Sequence, residues 1–111
     1  MNFYISDSLE NLDFNSNNIE VSDELSRYLY NYSLRNNIND FEILYKIDPY
    51  SDVDIYEKDV KKIYEACTYI LETSILSGYA DYTEGIESIK LLKDMSKEAL
   101  NRKKILISIG D

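Results

Sequence analysis

The chain has 111 residues, 21 acidic against 12 basic side chains and a net charge of −9, with 11 tyrosines, one cysteine and neither histidine nor tryptophan. That length supports one domain with a modest core. The excess negative charge disfavours direct binding to phosphate backbones, which proteins neutralise with clustered Lys and Arg. No apolar run approaches the roughly 20 residues of a membrane span.

The chain opens Met1-Asn2-Phe3-Tyr4-Ile5-Ser6-Asp7, without the basic start and apolar run of a secretory signal, so a cytoplasmic location is expected. Residues 6–21 are rich in Asn, Asp and Ser and show no sustained apolar period. They are expected to be irregular, with Leu9, Leu12, Phe14 and Ile19 docking on the core. Ser22 has the character of an N-cap. Asp23 and Glu24 follow in the first turn, and Leu25, Tyr28, Leu29 and Tyr32 recur at spacings of three and four, which predicts a helix over about 23–35. Tyr30 falls off that stripe. Asp40 can cap a short helix through Phe41, Leu44 and Tyr45, but residues 41–47 carry apolar side chains on both phases and suit a short strand equally. Pro49 ends either element, so 48–52 is a turn.

Val60, Ile63, Tyr64, Cys67, Ile70, Leu71 and Ser74 form one stripe at helical spacing and predict a central core helix, with Asp54 or a neighbour as its cap. Cys67 lies within the stripe as a small buried hydrophobe; a nucleophilic thiol needs a cationic activator, and no histidine exists to serve. Gly78 closes the region, and 79–83 reads as a loop. Ile86, Ile89, Leu92, Met95 and Ala99 predict a last helix over about 84–102. Residues 105–109 are β-prone, yet a lone strand leaves its backbone groups unpaired. This segment either pairs with Asn2 to Ile5 or another extended stretch, or packs as an apolar tail. The expected fold is mainly α, a single-domain bundle of three or four helices over 1–111, to which the termini can add a small β element.

Absences narrow the chemistry. Without histidine there is no Ser-His-Asp triad and no histidine metal site, and a single cysteine cannot build a thiolate cluster. With only Gly78, Gly85 and Gly110, no glycine-rich phosphate cradle exists. A calcium loop beginning at Asp48 fails, since Val53 stands where glycine is required and Asp59 where a bidentate glutamate belongs. The reading therefore calls for no metal, no cofactor and no catalytic residue.

The segment that stands out alternates carboxylates with phenols before the central helix: Asp48, Tyr50, Asp52, Asp54, Tyr56, Glu57 and Asp59. Tyr79, Asp81, Tyr82 and Glu84, with Glu87 beyond, form a second patch of the same kind. Tyrosine supplies rigid contact area and a hydroxyl at little entropic cost, and carboxylates receive Lys and Arg through charge-assisted bonds. Together they make candidate contacts for a basic protein. Tyr28, Tyr32, Tyr45 and Tyr64 read instead as core rings with wet hydroxyls, while Tyr50, Tyr56, Tyr79 and Tyr82 suit either role.

Ser51-Asp52-Val53-Asp54-Ile55-Tyr56, in a small acidic helical chain, resembles the recognition segment of bacterial immunity proteins that neutralise colicin-type and contact-dependent-inhibition nuclease toxins. The adjacent tyrosine pair and the following proline of that family are missing. The resemblance implies inhibition by occlusion of a basic toxin domain, with no catalysis by this chain. The charge also permits two other classes: a phage or plasmid DNA mimic that sequesters a nucleic-acid-binding protein, and a small carboxylate-dependent enzyme. A subunit of a larger assembly, docked through the C-terminal strand, is a fourth.

Overall fold

Extended segments from the two ends of the chain meet in the middle of one sheet. The structure, a computed structural model, describes residues 1–110. In chain order its elements are β1 (Asn2–Ser6), β2 (Ile19–Glu20), α1 (Asp23–Asn36), α2 (Ile43–Lys46), β3 (Val53–Ile55), α3 (Glu57–Glu72), a 3-10 turn (Ile75–Gly78), α4 (Tyr82–Arg102) and β4 (Ile105–Ile109). The strands form an antiparallel sheet in the order β2-β1-β4-β3.

This corrects the expectation of a mainly α bundle: the fold is mixed α/β. Of the two fates open to residues 105–109, pairing prevails, with Phe3 opposite Ser108 and Ile5 opposite Leu106. Residues 6–21, expected to be irregular, hold the end of β1 at Ser6 and the two-residue β2. β2 and β3 span only two and three residues, shorter than the roughly four to eight that make a strand recognisable from sequence.

Register assigns the two sheet faces, because residues directly opposite in an antiparallel pair project to the same side. Ile5, Leu106 and Ile55 align, as do Phe3, Ser108 and Val53, and they face α3 and α4. The other row is Tyr4, Ile107 and Asp54. Tyr4 and Ile107 are nevertheless buried, and the Phe14 ring meets Tyr4 edge-on at 5.8 Å from the loop that follows β1. A Lys104 to Asp7 ion pair at 2.6 Å clips that loop to the end of α4.

The helices form where their local signals put them. The Ser22 hydroxyl oxygen accepts the Leu25 N–H at 3.2 Å and caps α1, while Asn37, at a φ of 54°, ends it in the left-handed conformation. Leu25 and Leu29 of α1 join Val60, Ile63, Cys67 and Ile70 of α3 and Ile89, Leu92 and Ala99 of α4 in one core with Phe3, Phe41 and Leu106. Each Val, Leu, Ile and Phe among them contributes about 1.5–3 kcal/mol when fully buried. Residues 41–47 resolve as the short helix α2, whose N-cap position is Glu42 with no side-chain bond, so Asp40 does not cap it. Asp54 does not cap α3 either: it is committed to β3, and Tyr56 occupies the N-cap position without a side-chain bond. The expected loop over 79–83 is shorter, because Asp81 caps α4 by accepting the Glu84 N–H at 3.4 Å.

Candidate functional site

Asp48 builds the turn that presents Tyr50. One carboxylate oxygen accepts the Tyr50 N–H at 2.9 Å and the other the Ser51 hydroxyl at 2.9 Å. The bond from the Tyr50 backbone, then that from Ser51, favour the ionised form and hold the Asp48 carboxyl below its ordinary value. Tyr50 projects outward, 75% exposed. From behind, Gly110 lies so close that a Cβ there would come within 2.5 Å of the Ser51 nitrogen, and its N–H donates to Asp52 at 3.2 Å. The end of β4 thus props the turn in place.

Val53 and Ile55 turn toward the core, and their period-two alternation leaves Asp54 on the opposite face at the sheet edge. The Tyr56 hydroxyl donates to the Asp54 carboxylate at 3.4 Å, and Tyr56 is 62% exposed. Glu57 and Asp59 occupy the first turn of α3, where acids complement the helix dipole, and Asp59 also faces Lys62 at 3.8 Å. Tyr56 and Glu57 border a groove with Leu100, Lys103 and Lys104 at the C-terminal end of α4.

The second predicted patch divides. Tyr79 is half-buried and tilts against Tyr28 with ring centres 5.1 Å apart; a Cβ on Gly85 would come within 2.9 Å of its ring, so glycine is what lets Tyr79 pack there. Asp81, Tyr82 and Glu84 remain on the surface. The hydrogen bond with Asp81, then its charge, and more weakly burial and the charges of Glu20 and Glu24, raise the pKa of Glu84 above its ordinary value. Glu20, Glu24, Asp81 and Glu84 therefore form a cluster of like charges.

The eleven predicted residues do not form a single surface. Asp81 and Glu84 mark the start of α4, whereas Tyr56 and Glu57 lie beside its end, and 21 residues of helix span about 31 Å. What lies between the 48–50 turn and the 81–84 patch is the first turn of α1: Asp23 lines a cavity with Tyr50, and Glu24 acts on Glu84. α1 also adds residues outside the predicted set. Tyr30, 46% exposed, meets the Tyr45 ring edge-on at 5.4 Å, and Leu34 is 63% exposed one turn further on. Their signal was in the sequence, since positions 23, 27, 30 and 34 recur at helical spacing opposite the buried stripe.

Of the four rings assigned to the core, Tyr28, Tyr32, Tyr45 and Tyr64 are all half-buried, but the Tyr28 hydroxyl bonds to a carbonyl oxygen instead of water. Burial pushes the Cys67 thiol up to about 12, which leaves it protonated and unreactive. Among the described residues no cluster of three or more Cys, Asp or Glu is arranged to hold a metal ion, and no helix is long and apolar enough to cross a membrane. A scan against protein-family models and searches of curated proteins and of solved structures found no match to this chain.

Proposed function

We propose that this chain is a small acidic binding protein that occupies a basic protein partner, in the manner of a cytoplasmic immunity protein occluding a nuclease-type toxin. The observation that carries this reading is the segment 50–56, where Tyr50 and Tyr56 are largely exposed and bracket the exposed carboxylates Asp52 and Asp54. Neither acid has a Lys or Arg within ion-pair distance among the described residues. An acid already neutralised within its own chain offers little to a partner, whereas carboxylates with no basic partner of their own, beside rigid phenols, offer charge-assisted bonds and contact area. The net charge of −9 steers a cationic surface toward the chain before contact.

The test is co-expression with the product of the gene immediately upstream, where that product ends in a basic domain that arrests growth when expressed alone. Rescue of growth, together with a stable complex whose association slows steeply with salt, is the expected result. A toxic basic domain that arrests growth and forms no complex with the well-folded chain would refute the reading.

A further inference from the structure

We propose that the cavity between α1 and the 48–50 turn receives one apolar side chain from a Lys- or Arg-rich helical segment of the partner. This rests on the reading of the chain as a binder of cationic protein, and it specifies how that partner is held. The cavity measures about 160 Å³, the volume of about five waters at roughly 30 Å³ each, which is room for one aliphatic side chain. Met1, Leu44 and Ile47 supply apolar lining, and Tyr45 and Tyr50 contribute their rings. The charged residues on its wall are Asp23 and Arg27, four apart on α1 and opposite in sign, so the cavity itself does not select a bare cation. Ser26 also lines it, and its hydroxyl is buried without a hydrogen-bond partner.

The apolar surface continues from the cavity along α1. Tyr45 meets Tyr30, and Leu34 follows one turn later, so Tyr50, Tyr45, Tyr30 and Leu34 make a strip suited to an amphipathic helix laid against it. The surrounding charge chooses the occupant. A second copy of this chain would bring another net −9 against the strip, whereas a cationic segment is drawn by that net charge and meets Asp23 and Asp48 favourably, with Arg27 the opposing charge on the cavity wall. Neither acid is in an ion pair among the described residues.

Two synthetic peptides of equal positive charge separate the possibilities: a Leu/Lys peptide with leucines at helical spacing, and a Lys-rich peptide without apolar residues. Titrated at low salt into the isotope-labelled protein, the Leu/Lys peptide is expected to shift the amide signals of Ser26, Ile47 and Tyr50. It should bind at least about tenfold more tightly than the other peptide, an advantage that Tyr50→Ala and Leu34→Asp both remove. These two side chains are exposed, so neither substitution threatens folding.

An advantage that survives both substitutions, with shifts centred on residues 81–84, would overturn the inference while leaving a cation-binding protein. Failure of both peptides to bind would sink that underlying reading as well. Self-association of the free protein that Tyr50→Ala abolishes would overturn it in favour of a second copy.

Discussion

The hydroxyl of Tyr28 donates to the carbonyl oxygen of Ile75 at 2.6 Å, joining α1 to the 3-10 turn across 47 residues. A Cβ on Gly78 would meet that hydroxyl at 3.2 Å, so the neighbouring backbone is shaped around it. Tyr28→Phe keeps the ring and removes this bond, and is expected to cost about 1 kcal/mol in urea unfolding. An unchanged midpoint would mean that water replaces the phenol.

The Glu20, Glu24, Asp81 and Glu84 cluster makes stability depend on pH. The folded-state pKa of Glu84 is raised, so the folded chain holds this proton more tightly than the unfolded one. The stabilisation from the protonated form is complete at low pH and is lost as pH rises through the folded value. Glu84→Gln should therefore unfold at a higher temperature than the parent at neutral pH and low salt, with the difference shrinking in acid and at high salt. Equal melting temperatures throughout would show the four acids to be independent.

Asp48 has the opposite sign. Its folded pKa is lowered by the Tyr50 N–H and Ser51 hydroxyl bonds, so its contribution is present above the unfolded value and lost as pH falls through the folded one. An NMR titration should show the Tyr50 amide moving with a midpoint below that of an unstructured aspartate. Asp48→Ala should abolish that transition and speed exchange of the Tyr50 amide proton; an unaltered exchange rate would show that Pro49 alone sets the turn.

Burial and a thiol pKa of about 12 predict that Cys67 resists alkylation in the native state and reacts fully once urea unfolds the chain. Rapid labelling under native conditions would mean that α3 opens locally.

In the proposed complex, charge and contact should separate kinetically. Asp52→Asn and Asp54→Asn are expected to slow association with the cognate basic partner, most clearly at low salt, while Tyr56→Ala chiefly speeds dissociation. Stopped-flow measurement at two salt concentrations resolves both rates. If all three variants match the parent, segment 50–56 lies outside the interface.

The helices were legible because their signals are local. Ser22 sits where it caps α1, the stripe from Val60 to Ile70 is the buried face of α3, although Ser74 at its expected end lies exposed beyond the helix, and Ile89 to Ala99 is the buried face of α4. Pro49 marks a real turn, and Tyr50, Tyr56 and Tyr82 lie exposed, not in the core. Asp54 has the sequence character of a cap, since Asp often precedes a helical stripe. A three-residue strand claimed it first.

Composition and periodicity alone determined the acidic character, the long helices and the lack of any histidine or second cysteine, since each is a property of single residues or of neighbours within a few turns. Tertiary structure alone decided that residues 2–6 and 105–109 would pair, that the Glu84 patch would stand about a helix length from Tyr56, and that Tyr30 of α1 would meet Tyr45, which lines a cavity with Tyr50. Contacts between segments distant in sequence depend on which backbone edges and side-chain volumes complement one another after collapse, and no local spacing records that.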